Sequence, residues 1–299
     1  MIEHGGEVFD DTALRPYQLA KRAWKNMKNN ECEIVIVHGM PEGCGKSQYV
    51  NHSIADVSGF YKCKDAKLCQ WMWRKKEDRP KDAKLWNPDY DAVKGLLKYE
   101  PADVVSWLTN MLVKGLRVPM WQWDDGGTWL NTMEYSDQFV IAFMEFLSLA
   151  RSVCGLVVIS TPVEEWVLKK LHTASGIIHA PVIKLKDDRY TWKPRQCRAY
   201  KKVRFPSYTK YIPQYQWEDN FSAIAPDKFY EWYKPIRDHY ALLAVVKMQL
   251  ALEKRKAKGL HVEIDEAVLS QIKESTLTAN DKAVELREIL VQKAAEQHS

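Results

Sequence analysis

The sequence predicts an α/β fold built around a mostly parallel sheet. Short β-branched runs alternate with helical patterns as far as residue 185, which is typical of strand–helix–strand units. One of these runs leads into a glycine-rich turn that opens a helix. The 299 residues are 46% hydrophobic and 28% charged, a composition with enough apolar residues for a sizeable core.

The predicted elements follow from local patterns. The run at 33–39 is β-branched and ends in glycine, which favours a buried strand, and a helix begins at Lys46. Pro101 and Asp103 suit the first turn of a helix that Gly115 ends. We further expect helices at 12–30, 136–152 and 163–172, and strands at 118–123, 155–162 and 177–185.

The pattern changes after residue 185. We expect a three-layer α/β/α core over 1–185, carrying a basic and aromatic insertion at about 60–100. Residues 186–299 form the predicted C-terminal region, with a basic β-hairpin near 184–211 and helices at 226–258 and 263–296 that resemble a lid.

Composition also excludes some classes of protein. No apolar run reaches eighteen residues, so we expect no membrane span, and the first residues lack the pattern of a signal peptide. The six cysteines are scattered, which predicts a reduced cytoplasmic protein and not a disulfide scaffold. The net charge is +5, which is only mildly basic. Whether the chain binds an anionic partner therefore depends on where the lysines and arginines lie.

The sharpest motif runs from Met40 to Ser47. It matches the phosphate-loop spacing G-x-x-x-x-G-K-[ST], with Met40 at the first position, and the strand before and helix after it argue against a chance glycine-rich turn. Glycine allows the tight turn that aims backbone N–H groups at phosphate; Lys46 would reach the phosphates and Ser47 would ligate Mg²⁺. The predicted nucleotide-binding residues are Pro41, Glu42, Gly43, Cys44, Gly45, Lys46, Ser47 and Gln48.

Two further strand ends carry polar residues. Asp124 and Asp125 follow an apolar strand, where Asp124 would hold Mg²⁺ and Asp125 would orient or deprotonate the attacking water. Because aspartate is shorter than the glutamate often found there, slow turnover or another base such as Glu134 is the alternative. Thr161, or Ser160 beside it, would sense the γ-phosphate.

These elements resemble the additional-strand P-loop ATPases, which include the AAA+ and RecA-like families, over about residues 30–185. The segment 123–130, with Arg151 and the strand ending at Thr161, is similar to AAA+ or DnaA-like ATPases of archaeal viruses and plasmids. The resemblance implies a homo-oligomer with ATP at its interfaces, for which Arg151 is the candidate arginine finger. Residues 14–18 also resemble the adenine-reading segment of superfamily 2 helicases, which makes Gln18 a candidate adenine ligand.

Residues 184–210 carry ten lysines and arginines interleaved with aromatic residues. Cations neutralise phosphates and aromatic rings stack on bases, so this composition favours nucleic acid; a solvated basic face or an acidic protein partner would have the same composition. The predicted nucleic-acid contacts are Lys186, Arg189, Lys193, Arg195, Arg198, Lys201, Lys202 and Arg204.

Together these features predict a Mg²⁺-dependent ATPase that acts on DNA in replication, remodelling, partition or packaging. Three alternatives remain open at this point. The chain could be a nucleotide switch with little hydrolysis, an ATPase that assembles proteins, or a small-molecule kinase, which also uses a phosphate loop.

Overall fold

The structure is a computed structural model that describes residues 17–40, 43–61, 88–130, 137–167, 171, 176–185, 194–204 and 211–257. The chain divides into two compact units, 1–225 and 226–299. The first unit contains an α/β fold with a mostly parallel sheet, as predicted. None of the described helices combines the length and the hydropathy needed to cross a bilayer.

The first unit contains seven strands and five α-helices among the described residues. The strands are β1 (Glu33–His38), β2 (Leu97–Lys98), β3 (Trp121–Trp123), β4 (Leu156–Thr161), β5 (Ile178–Lys184), β6 (Pro194–Arg204) and β7 (Tyr211–Ser222). The helices are α1 (Gln18–Asn29), α2 (Lys46–Tyr61), α3 (Tyr90–Leu96), α4 (Pro101–Val113) and α5 (Gln138–Leu149).

The seven strands form one sheet in the order β2-β3-β4-β1-β5-β6-β7. The first five are parallel, and β6 and β7 extend the sheet antiparallel to their neighbours. Strand β4 therefore lies between β1 and β3, so the residues after all three meet at the carboxyl edge of the sheet. The antiparallel strands belong to the same sheet as the parallel core, whereas the sequence suggested a boundary at residue 185.

The apolar sequences of the central strands β1 and β4 follow from their burial. Every residue of β4 is buried, as are the three in the middle of β1, because these strands have neighbours on both sides. One face of the sheet packs through Ile36, Trp121 and Trp123 against side chains of α4 and α5, including Leu108 and Phe143. Near-continuous apolar runs are what such doubly covered parallel strands require.

Hydrogen bonds hold both ends of helix α1. Helix α1 ends at Asn30, whose left-handed backbone lets its N–H reach the carbonyls of Asn26 and Met27. At its start, the Asp219 carboxylate of β7 accepts the Gln18 N–H at 2.9 and 3.1 Å. Strand β7 therefore holds the beginning of a helix 201 residues earlier in the chain.

Two predicted segments are only partly described. Of the helix predicted at 163–172, the described residues show a 3₁₀ turn, Glu164–Trp166, and a helical residue, Leu171; residues 168–170 and 172 lie outside the described residues. In the 184–211 region, β5 and β6 pair antiparallel, and residues 186–193, which include Asp187 and Asp188, lie outside the described residues. The insertion over 62–87 and the helices at 263–296 lie outside the described residues.

The second unit is described through helix α6 (Asp227–Ala257). Pro235 lies inside this helix and does not end it. Near its start, the rings of Phe229 and Tyr233 stack at a centroid distance of 5.6 Å.

Candidate functional site

The loop after β1 depends on two glycines with left-handed backbone. Gly43 has φ +77° and Gly45 has φ +99°, values that side chains rarely adopt. A Cβ at Gly45 would lie 3.2 Å from Phe221 and 3.4 Å from Arg195. A side chain at position 45 would therefore be strained by the left-handed backbone and would crowd Phe221 of β7 and Arg195 of β6.

Lys46 begins helix α2 and is 8% exposed. Its ammonium donates to the Gly39 carbonyl at 3.2 Å and lies 3.9 Å from the Cys44 sulfur. The buried Cys44 thiol also donates to the Gly39 carbonyl. The lysine is thus folded back over its own loop, where a positive charge and a helix N-terminus coincide.

A buried carboxylate faces the start of α2. Asp124, which directly follows β3 and is 3% exposed, accepts three hydrogen bonds at Oδ1. The donors are Ser47 Oγ at 2.7 Å, Gln122 Nε2 at 3.0 Å and Ser160 Oγ at 2.5 Å. Its N–H donates to the Lys98 carbonyl at 2.8 Å. We call Ser47, Gln122, Asp124 and Ser160 the Asp124 centre; every side-chain donor in it is neutral.

Asp125 stands beside this centre in an unusual backbone conformation. Its φ is +51°, and its N–H donates to Ser160 Oγ at 2.9 Å. The Thr128 hydroxyl donates to the Asp125 carbonyl at 2.7 Å. The side chain is exposed to solvent, so Asp125 is accessible to a water molecule or substrate, while its backbone is fixed. Glu134, the alternative base, lies outside the described residues.

Ser160 and Thr161 take different roles. The Ser160 hydroxyl joins Asp124 to the Asp125 backbone, whereas the Thr161 hydroxyl donates to the Val163 carbonyl at 2.9 Å. Thr161 is completely buried. Of the two residues that the sequence offered at this strand end, the structure brings Ser160, and not Thr161, into hydrogen-bond contact with the Asp124 centre.

Arg151 lies elsewhere in the unit. It belongs to the exposed 3₁₀ turn Ala150–Ser152, which precedes β4, so it is at the amino edge of the sheet. Its carbonyl accepts from Arg117 Nε at 2.7 Å. The loop and the Asp124 centre are at the carboxyl edge, so Arg151 could act at a site of this kind only from another copy of the chain.

The remaining predicted nucleotide contacts are partly described. Gln48 is buried, and its amide nitrogen lies 3.2 Å from His52 Nε2. Gln18 is exposed at the start of α1, where its backbone binds Asp219. Pro41 and Glu42 lie outside the described residues.

The basic residues of β6 mostly meet carboxylates within the chain. Arg198 pairs with Glu218 at 2.8 Å, Lys201 with Glu33 at 2.9 Å, and Lys202 with Glu164. Arg195 is 6% exposed and lies against Gly45. Arg204 ends β6, and the predicted contacts Lys186, Arg189 and Lys193 lie outside the described residues. This part of the basic stretch is therefore largely neutralised internally.

Gln122 is the member of the Asp124 centre that sequence reasoning missed. It is completely buried between two buried tryptophans, Trp121 and Trp123. A polar residue inside an apolar strand, two positions before a carboxylate, is the feature that could have indicated it. Strand alternation puts both side chains on one face of the sheet.

Comparison with known proteins assigns the chain to no family: its sequence matches no protein-family model and none of the curated proteins.

Proposed function

We propose that this chain is a P-loop ATPase of the additional-strand type, which binds ATP and Mg²⁺ at the loop after β1. The hydrogen bond between Ser47 Oγ and Asp124 Oδ1, at 2.7 Å, carries the proposal. It joins a hydroxyl at the start of α2 to a carboxylate 77 residues away, directly after strand β3, which β4 separates from β1. Hydroxyl and carboxylate oxygens are the ligands that Mg²⁺ prefers.

The loop fits a phosphate chemically. Gly43 and Gly45 keep side chains away from the backbone N–H groups that precede α2, and the helix N-terminus favours an anion there. Lys46 would exchange the Gly39 carbonyl for phosphate oxygens, a stronger charge-assisted contact. These features support a triphosphate ligand more directly than any other class of molecule.

Each residue then has a role in hydrolysis. Ser47 and Asp124 would hold Mg²⁺, which neutralises phosphate charge when bound. Lys46 stabilises the negative charge that moves onto the phosphate oxygens in the transition state. Asp125, exposed beside the buried Asp124, would orient the attacking water and accept its proton. The Ser160 hydroxyl fixes the Asp125 backbone and so positions that carboxylate.

The test is phosphate release from ATP by the wild-type chain and by Lys46→Ala, with Mg²⁺ and with EDTA. We expect the substitution to lower hydrolysis by at least about 100-fold, because it removes a transition-state charge contact. Lys114→Ala is the matched control, since this lysine is exposed at the end of α4. Equal hydrolysis by Lys46→Ala and wild type would disprove the proposal.

Action on DNA remains a prediction that the same assay can test. Hydrolysis that rises with added DNA and loses that rise as salt increases would support a DNA-coupled ATPase. Lys46-dependent hydrolysis that ignores DNA would favour a protein-assembly ATPase, and phosphate transfer to a small acceptor would favour a kinase. ATP binding without hydrolysis would favour a nucleotide switch.

A further inference from the structure

A second group of polar side chains lies near the carboxyl edge of the sheet, apart from the Asp124 centre. It consists of His38 at the end of β1, Glu164 in the turn after β4, and His179 in β5. The nitrogen and oxygen atoms that could bind a metal all lie within 4.8 Å of one another. We call these three residues the Glu164 cluster.

The cluster is enclosed. His179 is completely buried, and the side chains of Glu164 and His38 are 10% and 15% exposed. Burying two imidazoles beside a carboxylate has a cost unless their nitrogen atoms gain partners. A single bound cation that contacts all three side chains would offset this cost.

The imidazoles lack ordinary hydrogen bonds. Among the described residues, His38 Nε2 and both ring nitrogens of His179 have no partner with hydrogen-bond geometry. Even so, His38 Nε2 lies 3.4 Å from Glu164 Oε2, and His179 Nδ1 lies 3.2 Å from Glu164 Oε1. Each imidazole thus has a ring nitrogen close to one oxygen of the Glu164 carboxylate.

These separations are those of neighbouring ligands around one metal ion. Zinc binds histidine nitrogen and carboxylate oxygen at about 2.0–2.2 Å, so two ligand atoms of a tetrahedral site lie about 3.3–3.6 Å apart. The 3.4 Å from His38 to Oε2 of Glu164 and the 3.2 Å from His179 to Oε1 are close to that range, and one ligand atom of each residue lies within 4.8 Å of the other two. Two histidines and one glutamate are a ligand set that zinc accepts, with its fourth position left to water or another donor.

The types of ligand atom also suit a metal. Imidazole nitrogen and carboxylate oxygen are both ligands that zinc takes in proteins, and the Glu164 cluster offers two of the first and one of the second.

Lys202 is the competing cation. Its ammonium contacts Glu164 Oε1, and the Tyr200 hydroxyl donates to Glu164 Oε2 at 3.2 Å. Because an ammonium only donates hydrogen bonds, Lys202 cannot accept one from a ring N–H of either imidazole. A metal ion can bind all three side chains at once, after displacing the ammonium from the carboxylate.

We propose that His38, Glu164 and His179 form a binding site for Zn²⁺ or a similar divalent transition-metal ion. The site is separate from the residues assigned to ATP and Mg²⁺, and it does not depend on that assignment. Imidazole ligands favour zinc, cobalt, nickel or copper over magnesium.

The test is titration of the full-length, chelator-treated protein with Co²⁺ at pH 7.5, without nucleotide, followed by displacement with Zn²⁺. Visible absorption of bound Co²⁺ reports its coordination. We expect one ion per chain and no thiolate charge-transfer band, although Cys44 lies near Gly39, the residue after His38. A thiolate band, or no saturable binding by the wild type, would overturn the proposal.

Substitutions then assign the ligands. His38→Ala, His179→Ala and Glu164→Gln should each weaken Co²⁺ binding by at least about tenfold, since even losing an outer-shell contact costs that much. His239→Ala, in α6, is the matched control and should bind as the wild type does. Circular dichroism and cooperative melting establish that each variant is folded. Binding unchanged in all three folded ligand variants would disprove the site.

Lys202→Met separates a metal site from a simple ion-pair network. Removing the competing ammonium leaves the three ligands in place, so the folded variant should bind Zn²⁺ at least as tightly as the wild type. Its melting temperature should also rise more on adding Zn²⁺ than that of the wild type. Loss of binding in folded Lys202→Met would contradict the proposal, because it would make the lysine part of the site.

Discussion

The Asp124 centre and the Glu164 cluster are both built around one carboxylate near the carboxyl edge of the sheet, but they face opposite sides of it. Strand register puts Gln122 and Ser160 on one face and His38, Thr161 and His179 on the other. Asp124 is surrounded by neutral hydroxyl and amide donors, whereas Glu164 is surrounded by imidazoles, a phenol and an ammonium.

This difference in the surrounding side chains predicts that the two centres bind different cations. Oxygen donors around a buried carboxylate suit a hard ion such as Mg²⁺, and nitrogen donors suit a borderline ion such as Zn²⁺. Two adjacent residues of β4 take part in the division: Ser160 binds Asp124, and Thr161 binds the Val163 carbonyl next to Glu164. One strand end can therefore support two unlike sites.

The largest expected effect separates the two centres. Asp124→Asn should lower Mg²⁺-dependent ATP hydrolysis by at least about 100-fold, because the proposed metal site loses a carboxylate ligand. The same variant should keep the Co²⁺ absorption of the Glu164 cluster, measured by titration. Asp91→Asn, whose side chain is 85% exposed, is the control for hydrolysis. If Asp124→Asn also lost Co²⁺ absorption, the two centres would not be separate.

A smaller effect concerns the packing that links the centres. A Cβ at Gly127 would lie 2.3 Å from Thr161 Oγ1, so Gly127→Ala should lower the free energy of unfolding by about 1–3 kcal/mol. Gly95→Ala is the control: it lies in helix α3 with no atom within 4 Å of the new Cβ, and it should be neutral or gain about 0.5–1 kcal/mol. Urea unfolding measures both, and equal stability of the two variants would contradict the packing around Thr161.

The smallest effect is a pH dependence in the Glu164 cluster. His38 is neutral in the folded chain down to about pH 4, but in the unfolded chain it takes up a proton near pH 6.5. Between those two pH values His38 is protonated more in the unfolded chain than in the folded chain. The contribution of His38 to the stability of the fold is therefore complete above pH 6.5 and is lost as the pH falls towards 4. Burial causes the shift; Glu164 and Glu165 oppose it, and His179 and Lys202 add to it.

His38→Gln should therefore flatten the curve of unfolding free energy against pH in that range, by up to about 1.4 kcal/mol per pH unit. Urea unfolding of the metal-free protein at several pH values measures the slope. His239→Gln serves as the control in α6. A slope that His38→Gln leaves unchanged would show that this imidazole does not titrate as its burial requires.

The sequence predicted the elements whose cause is local. The parallel core strands, the turn with Gly43 and Gly45, and the start of α2 at Lys46 all follow from short patterns. A strand between those of the loop and of Asp124 was expected from the resemblance, and β4 lies there. The roles of these residues in ATP hydrolysis stay predictions until hydrolysis is measured.

The Glu164 cluster had no such local cause. Its three residues come from β1, the turn after β4, and β5, and their spacing in the sequence fits no metal-binding motif. They come together because β1 pairs with β5 on one side and with β4 on the other. The ion pairs of Arg198 and Lys201 could not be predicted from the sequence either, because the net charge of a segment does not show which carboxylates its strand will face.

The central position of β1 has a consequence for synthesis on the ribosome. This strand is the first of the sheet to be made, yet its two neighbours, β4 and β5, are encoded more than a hundred residues later. At translation speeds of about 5–20 residues per second, its apolar edges wait on the order of ten seconds for partners. A chain arrested before β4 would therefore expose an unpaired β-branched segment, and we expect chaperone binding during elongation to concentrate there.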